Sequence, residues 1–321
     1  MSAVRLESVP RRREASLTRD ELTRDFVSKN MPVVVTEASF WSGDPFSIDF
    51  LKQKYGHLPL GELKRGIGGE TGILDHHLEE FPTLGDYLSR MQIDGQTTED
   101  LKARPTGGSP FSHLEMRSTT RGLPYLTNLS VLRNFPEIER RFSALPAFGS
   151  NWTERIDKDA AVGEIFIGPR STSYGELHFD RHFMFVATYQ LAGQKKWWLF
   201  PPGDSKYLYP MPYWGDWFPH FSPLNPESPD LESYPLFANA NGLSTVLEAG
   251  DVLFCPAQWW HYTANLTDSV SIAVRVVNRF NAHKMVADFA VSSSINVVTA
   301  LYRTVFLKQP FTLVPPFLSK R

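Results

Sequence analysis

The sequence predicts a mainly β protein, a sandwich or barrel of the jelly-roll kind with α-helices at both ends. Three observations carry this. From about residue 160, apolar runs of strand length alternate with turn residues. Glycines punctuate the runs in Ala192-Gly193-Gln194 and Glu248-Ala249-Gly250-Asp251, where hairpins need them. Helical periodicity, by contrast, is confined to the flanks.

Taken in order, residues 17–30 read as a helix capped by Ser16 or Thr18. Met31-Pro32-Val33-Val34-Val35 is a short β-branched run after a proline, hence a strand. Ile48 to Tyr55 is a helix entered through Ser47 as cap. Thr83 to Met91 is another, with apolar residues at 84, 87, 88 and 91. Residues 92–122 carry Gly, Thr, Pro and Asp and read as loop, and Glu137 to Phe142 as a short helix. The expected strands of the central block are Gly163–Gly168, Leu177–Phe179, Phe183–Leu191, Lys196–Phe200, Ser244–Leu247, Asp251–Cys255 and Val270–Val277. The Pro- and aromatic-rich stretch 201–243 is too long for a plain connector and is expected to form a wall or lid. After 283 the helical pattern returns, then gives way to a tail with Pro310, Pro315 and Pro316. The expected division is a helical and β flank over 1–120, a catalytic core over 121–282 and a helical segment over 283–321.

With 321 residues, 42% of them hydrophobic, the chain can bury a large core in one domain with appendages. The formal net charge of −2 argues against a nucleic-acid binder, which needs a basic excess. Cys255 is the lone cysteine, so no internal disulfide can form, in keeping with a reducing compartment. Residues 1–25 are charged, with no apolar h-region of a signal peptide. Arg11-Arg12-Arg13 is too short for a nuclear address and reads as part of a solvated arm. Phe289 to Leu307 is interrupted by Ser292, Asn296 and Arg303, so it reads as an amphipathic helix and not as a membrane span. These features favour an intracellular, cytoplasmic protein and leave the nucleus open.

The chemistry concentrates in His178-Phe179-Asp180 and, far downstream, in Pro256-Ala257-Gln258-Trp259-Trp260-His261. Two imidazoles and one carboxylate hold one face of a non-haem Fe(II) ion and leave the opposite positions open. On a strand, residues i and i+2 point to the same side, so His178 and Asp180 can share a metal while Phe179 turns away. Alone, His-x-Asp is a weak signal, since most such pairs are surface or hydrogen-bonded polar residues. Between the two blocks lies Gly193-Gln194-Lys195-Lys196-Trp197-Trp198-Leu199-Phe200-Pro201-Pro202. Alternation turns one lysine inward and one outward, and an inward ammonium is costly unless it meets a carboxylate. The bland alternative has both lysines capping the strand end in water.

Other polar residues are weaker candidates. His182 reads as a neighbour of the metal or a pocket residue, because the triad is already complete. His76-His77, with Asp75 and Glu79, looks exposed, and adjacent histidines point apart. His113 and His220 lack partners at ligand spacing. Tyr213-Trp214, Trp217-Phe218 and His220 line either a substrate mouth or a hydrophobic plug over the barrel.

Together these motifs resemble the JmjC-domain and cupin-like Fe(II)/2-oxoglutarate oxygenases, in particular the hydroxylases of the factor-inhibiting-HIF type. The resemblance rests on His178-Phe179-Asp180, the Gly193–Pro202 stretch, Leu208-Tyr209-Pro210, Gly250-Asp251-Val252-Leu253-Phe254-Cys255-Pro256 and Trp259-Trp260-His261, with weaker likeness upstream at Phe81-Pro82-Thr83-Leu84 and Leu123-Pro124-Tyr125-Leu126. It covers about residues 25–280 and implies a double-stranded β-helix. It also implies that His178, Asp180 and His261 ligate Fe(II), and that Lys195 pairs with the distal carboxylate of 2-oxoglutarate. Tyr125 falls where the family has a tyrosine touching the same cosubstrate. For a hydroxyl just before the first histidine, Thr172, Ser173 and Tyr174 compete, with Gly175 at the ungapped position. Arg275 stands where some members have an asparagine, within reach of a 2-oxoglutarate carboxylate or a substrate acid. Arg181-His182-Phe183-Met184 departs from the more usual polar residues.

The implied activity uses O2 to hydroxylate a C–H of a protein, peptide or other small-molecule substrate and releases succinate and CO2. Demethylation, where the carbon sits on nitrogen, is less favoured. C-terminal helices form a dimer interface in some members; the alternative is packing on the same chain's barrel. Two competing readings are a metal-dependent cupin enzyme that does not use 2-oxoglutarate and a cupin-fold binding protein without iron chemistry. Lys195 with Arg275 separates the first, and the intact His-Asp-His set the second.

Overall fold

A computed structural model describes residues 4–66, 80–94, 123, 125–145, 148, 151–156, 158–173, 177–211, 220–288 and 290. The strands, in chain order, are β1 (Arg5–Ser8), β2 (Arg11–Arg13), β3 (Val33–Thr36), β4 (Leu126–Ser130), β5 (Glu164–Gly168), β6 (Leu177–His178), β7 (Phe185–Ala192), β8 (Lys195–Phe200), β9 (Phe221–Ser222), β10 (Asn241–Leu247), β11 (Val252–Cys255), β12 (Trp260–Asn265) and β13 (Ser269–Val276). They form a six-stranded sheet in the order β1-β10-β8-β12-β6-β9 and a seven-stranded sheet in the order β2-β3-β11-β7-β13-β5-β4. From β5 to β8, and again from β10 to β13, consecutive strands lie in opposite sheets. That alternation is the winding of a jelly roll.

It also changes the reading of the two glycine turns, which do not close hairpins. Ala192-Gly193-Gln194 carries the chain from β7 in one sheet to β8 in the other, and Gly250 lies between β10 and β11. Both glycines have positive φ, +70° at Gly193 and +94° at Gly250. A corner between sheets needs the same left-handed backbone as a hairpin, so the local signal cannot distinguish them.

Side-chain alternation sorts the core into layers. Val33, Val35, Phe185, Ala187, Tyr189, Val252, Phe254, Ile272 and Val274 face outward from the seven-stranded sheet into the largest apolar cluster. The helices Ile48–Tyr55, Leu84–Asp94 and Pro136–Arg141 cover that face through Leu51, Tyr55, Leu84, Leu88 and Ile138. Each such fully buried side chain contributes about 1.5–3 kcal/mol. Between the sheets lie Val34, Val186, Trp197, Leu199, Leu253 and Cys255. The strands β3 and β11 are thus apolar on both faces, which is why Val33-Val34-Val35 and Val252–Cys255 are unbroken apolar runs. The stretch after β8 lays Leu208, Leu224 and Phe237 on the outer face of the six-stranded sheet, against Trp198, Phe200, Trp260 and Tyr262. It serves there as a wall.

The helix expected over 17–30 forms as Arg19–Leu22 followed by a wider turn over Thr23–Val27. Thr18 caps it, and the Glu21 carboxylate in turn accepts the Thr18 backbone N–H. Ser47 caps the next helix by accepting from the Phe50 N–H. The basic triplet is not a free arm. It forms β2, parallel to β3, and Arg11 reaches the buried Asp251 at 2.6 Å. That carboxylate also accepts the Glu248 N–H at 3.0 Å, so Arg11 neutralises the charge that shapes the β10–β11 corner. The helix Leu84–Asp94 runs three residues into the stretch expected as loop over 92–122, since its turns continue past Met91; the rest of that stretch, His76-His77, His113 and the expected helix beyond 290 lie outside the described residues. Among the described residues no helix is long and apolar enough to cross a membrane.

A Cβ added to Gly193 would stand 1.9 Å from the Asp268 carbonyl oxygen, at a φ that L residues avoid. Gly193→Ala is therefore expected to destabilise the fold by about 2 kcal/mol or more, read as a fall in the thermal midpoint. An unchanged midpoint would contradict the corner geometry.

Candidate metal and anion site

The site begins with a strand of two residues. β6 pairs antiparallel with β12, placing His178 directly across from His261. The strand ends at His178, so Asp180 lies just beyond the ladder, although the alternation persists. Phe179 turns to the outer face and packs edge-on against Trp260, 4.8 Å between ring centroids. His178 and Asp180 turn inward with His261. The three offer ligand atoms that all lie within 4.8 Å of one another. The two imidazoles are 4.3 Å apart between centroids, and His261 Nε2 is 3.8 Å from Asp180 Oδ2.

Electrostatics suits a cation. His261 Nδ1 lies 3.0 Å from the Trp259 carbonyl oxygen, which can only accept. Nδ1 therefore carries the proton, and Nε2 presents a lone pair to the site. Burial raises the Asp180 carboxyl, but His261 and His178 in their protonated forms, together with Arg275, outweigh it and hold the group below its ordinary value. The Cys255 thiol is pushed well up by burial and then by the Asp180 charge, so it stays protonated.

A second feature lies along the same inner face. On β8, Lys195, Trp197 and Leu199 point inward, while Trp198 and Phe200 point out. On β12, His261, Thr263 and Asn265 share the inner face, and the register sets Leu199 against His261, Trp197 against Thr263 and Lys195 against Asn265. The lysine thus stands four residues, about 13 Å of strand, from the level of the metal ligands. Lys195 is 2% exposed, while Lys196 turns outward with its Nζ 4.5 Å from the Trp198 ring centroid. Lys195 Nζ donates to the Tyr125 hydroxyl at 2.8 Å and to Ser271 Oγ at 2.6 Å. Among the described residues no carboxylate pairs with it, and burial lowers it to about 7.

Other residues named from the sequence fall around this pair. Tyr125 is buried against Lys195, as expected. Thr172 is buried too, but its hydroxyl is engaged twice: it donates to the Pro169 carbonyl at 2.6 Å and accepts from Asn265 Nδ2 at 2.9 Å. Ser173 bridges to Ala264, and Tyr174 and Gly175 lie outside the described residues. Arg275 lines the interior near Asp180, with its guanidinium on the buried carboxylate of Glu164. His182 is not one of the converging ligands; its Nδ1 lies 3.0 Å from Asp288 Oδ2. His220 is half-buried and lowered to about 2, chiefly by desolvation. Its carbonyl accepts the Phe179 N–H at 3.0 Å. The aromatic residues 213, 214, 217 and 218 lie outside the described residues.

Asn265 and Ser271 were not singled out from the sequence. Both had a signal. Asn265 is His261+4 on a strand, hence on the ligand face, and Ser269 and Ser271 alternate with Val270, Ile272 and Val274.

Fold and site define the class: the chain belongs to the cupin-like domain family, which matches residues 19–278. Its relatives include the 2-oxoglutarate and iron-dependent oxygenase JMJD4. The Homo sapiens protein is 31% identical over 284 residues, 83% of this chain and 60% of its own length. The Gallus gallus protein is 29% identical over 285 residues, again 83% of this chain and 59% of its own length. A shorter stretch of 88 residues, 27% of this chain, is 41% identical to 18% of HSPB1-associated protein 1 from Rattus norvegicus. The chain therefore spans three fifths or less of the length of these relatives.

Gly168 is where the backbone approaches the lysine cage most closely. A Cβ there would lie 2.2 Å from Asn265 Nδ2 and 2.6 Å from the Tyr125 ring. Gly168→Ala is expected to cost about 1–3 kcal/mol in thermal or denaturant unfolding. The same change at Gly203, where an added carbon meets nothing within 4 Å, serves as the neutral control. Equal midpoints for the two variants would contradict this packing.

Proposed function

We propose that the chain is an Fe(II)- and 2-oxoglutarate-dependent oxygenase that hydroxylates a C–H bond of a protein, peptide or amino-acid-like substrate, with O2 as oxidant. The observation that carries this reading is the shared face: His178, Asp180 and His261 converge at one level of the barrel, and a buried lysine with no carboxylate partner among the described residues stands at another. A metal site alone would support any cupin enzyme. A buried ammonium whose partners are two hydroxyls asks in addition for an anionic ligand. A five-carbon diacid chelating the metal at one end and meeting Lys195 at the other satisfies both. The relatives named 2-oxoglutarate and iron-dependent oxygenases support the same assignment.

Bound iron and 2-oxoglutarate would supply the oxidising chemistry, with 2-oxoglutarate leaving as succinate and CO2. The donor set fits: two neutral imidazoles and one carboxylate are the protein ligands such a centre uses. The chain's own residues bind and orient. The Trp259 carbonyl fixes the His261 tautomer. The Arg275 guanidinium near Asp180 favours its ionised form. Tyr125 and Ser271 hold the Lys195 ammonium in place, so that a diacid binds in one direction. Trp197, Leu199, Val186 and Leu253 wall the interior with apolar surface that excludes water.

Anaerobic titration of the purified protein with Fe(II) and then 2-oxoglutarate should develop the weak visible charge-transfer band of the chelate. Aerobic turnover should release succinate. Asp180→Ala, which removes one of the three ligands, is expected to abolish the band and succinate release while leaving the thermal midpoint within a few degrees. Full turnover by that variant would overturn the ligand assignment.

Lys195 gives a pH dependence with a definite sign. In the free protein it loses its proton near pH 7, and a bound carboxylate raises that value. Diacid affinity is therefore flat below about pH 7 and falls about tenfold per unit above it, one proton being taken up on binding. The folded value is also lower than the unfolded one, so in the ligand-free protein this group costs stability below pH 7, and the cost is relieved as pH rises from about 7 to about 10.4. Lys195→Met is accordingly expected to raise the ligand-free thermal midpoint at pH 6 by a few degrees and to abolish diacid binding. Calorimetry in buffers of different ionisation enthalpy counts the proton. Affinity independent of pH from 6 to 9 would rule out this role for Lys195.

A further inference from the structure

The Asp180 carboxylate differs from its fellow candidate ligand His261, which is fixed by the Trp259 carbonyl, in having no hydrogen bond of its own among the described residues. Its own strand has already ended. Immediately after it the backbone turns through two consecutive left-handed residues, His182 at φ +64° and Phe183 at φ +52°. Neither is a glycine, and the second carries a bulky aromatic ring. Such a pair persists only where the surroundings over-determine it.

What over-determines it comes from one place, the segment that follows the last strand. Asn281, 1% exposed, donates from Nδ2 to the Phe183 carbonyl at 3.0 Å and to the Val276 carbonyl at 2.9 Å. Its Oδ1 accepts the Asn278 N–H at 2.7 Å. One carboxamide thus staples the turn after Asp180 to the end of β13. Residues 282–288 are helical, and Asp288 accepts a hydrogen bond from His182 Nδ1 at 3.0 Å. An ionised carboxylate only accepts, so the donor is the ring N–H. Met184, next in the chain, packs with Val277 and Met285 in a small apolar cluster of its own. On the other side, the Phe179 N–H is held by the His220 carbonyl. Asp180 is suspended between these tethers.

We propose that the segment 278–288 is a positioning device for the candidate metal ligand Asp180. Through Asn281, Met285 and Asp288 it locks the left-handed pair His182–Phe183 and so aims the carboxylate at the point where the two imidazoles converge. This rests on the metal-site reading above and deepens it. Asn281 and Asp288 are outside the converging set of His178, Asp180 and His261; they act through the turn. Metal affinity is then set in part from beyond the last strand, and anything that shifts residues 282–288 shifts the ligand set.

The test is metal binding by the full chain, with Co(II) as probe, followed by its visible d–d spectrum and by calorimetry. Asn281→Ala is expected to weaken Co(II) binding about tenfold, the scale on which outer residues that orient a ligand act, and to change the spectrum. Should that variant fail to fold, Asp288→Asn, at a partly exposed position, is expected to weaken binding several-fold, with Asp288→Glu restoring part of the loss. Leu51→Val, in the remote core, should lower the thermal midpoint without moving either readout. If Asn281→Ala and Asp288→Asn lower the midpoint while affinity and spectrum match the unmodified protein, the segment is structural only and the proposal is overturned. If the unmodified protein binds no Co(II), the metal site itself fails and this inference falls with it. Cobalt binding without any diacid-dependent band would remove the oxygenase reading and leave this one standing.

Discussion

The pairing of a two-residue strand with its neighbour holds the site together. β6 contributes Leu177 and His178 and nothing more, yet its register across β12 sets His178 opposite His261. Because side chains alternate with a period of two, a slip of one residue would send His178 outward and bring Leu177 or Phe179 in. Apolar burial enforces the register. Leu177 belongs to the outer cluster, and Phe179 packs on Trp260 beside it. Turning either inward would strip apolar area from that cluster and push the His178 imidazole and the Asp180 carboxylate into it. The wall formed after β8 thus fixes the candidate metal ligands from the opposite face of the sheet.

The interior shows how one barrel holds polar function and apolar core together. The outward faces of both sheets carry most of the apolar burial, against helices on one side and the 201–243 wall on the other. The space between the sheets is left partly for polar groups: Lys195, Ser271, Asn265, Arg275 with Glu164, and the His-Asp-His set. Burying an ammonium among hydroxyls and aromatic rings works against stability. An ammonium buried there, with no carboxylate partner among the described residues, is what a binding site for an anion requires, and it supports a diacid and not a metal alone.

Much of the fold was legible in local pattern. The helix at Ile48–Tyr55, its Ser47 cap and the apolar strands of the central block formed as read, because caps, β-branched runs and helical periodicity are local physics. The readings that shifted involve partners far away in the chain. Arg11-Arg12-Arg13 looks like a solvated arm until β3 is beside it and Asp251 needs a counter-charge. The glycine turns look like hairpins because a sheet-to-sheet corner and a hairpin demand the same left-handed residue. Asn265 and Ser271 were visible as alternating positions but gained meaning only once Tyr125 and Lys195 stood against them.

By itself the sequence determined the ligand types and their possible sharing of one side, since His-x-Asp on extended backbone presents both groups to the same face whatever surrounds it. It also put Lys195 and Lys196 on opposite sides of one strand, so that one of them can turn inward, and the resemblance pointed to Lys195. Only the tertiary structure decided that Lys195 does turn inward, that its partners are Tyr125 and Ser271, that Arg275 is held by Glu164, and that the backbone after Asp180 is clamped by Asn281 and Asp288. The physical reason is range. Propensity and alternation act over a few residues, whereas compensating a buried charge or holding a strained turn takes groups that only folding brings within 3 Å or so of each other.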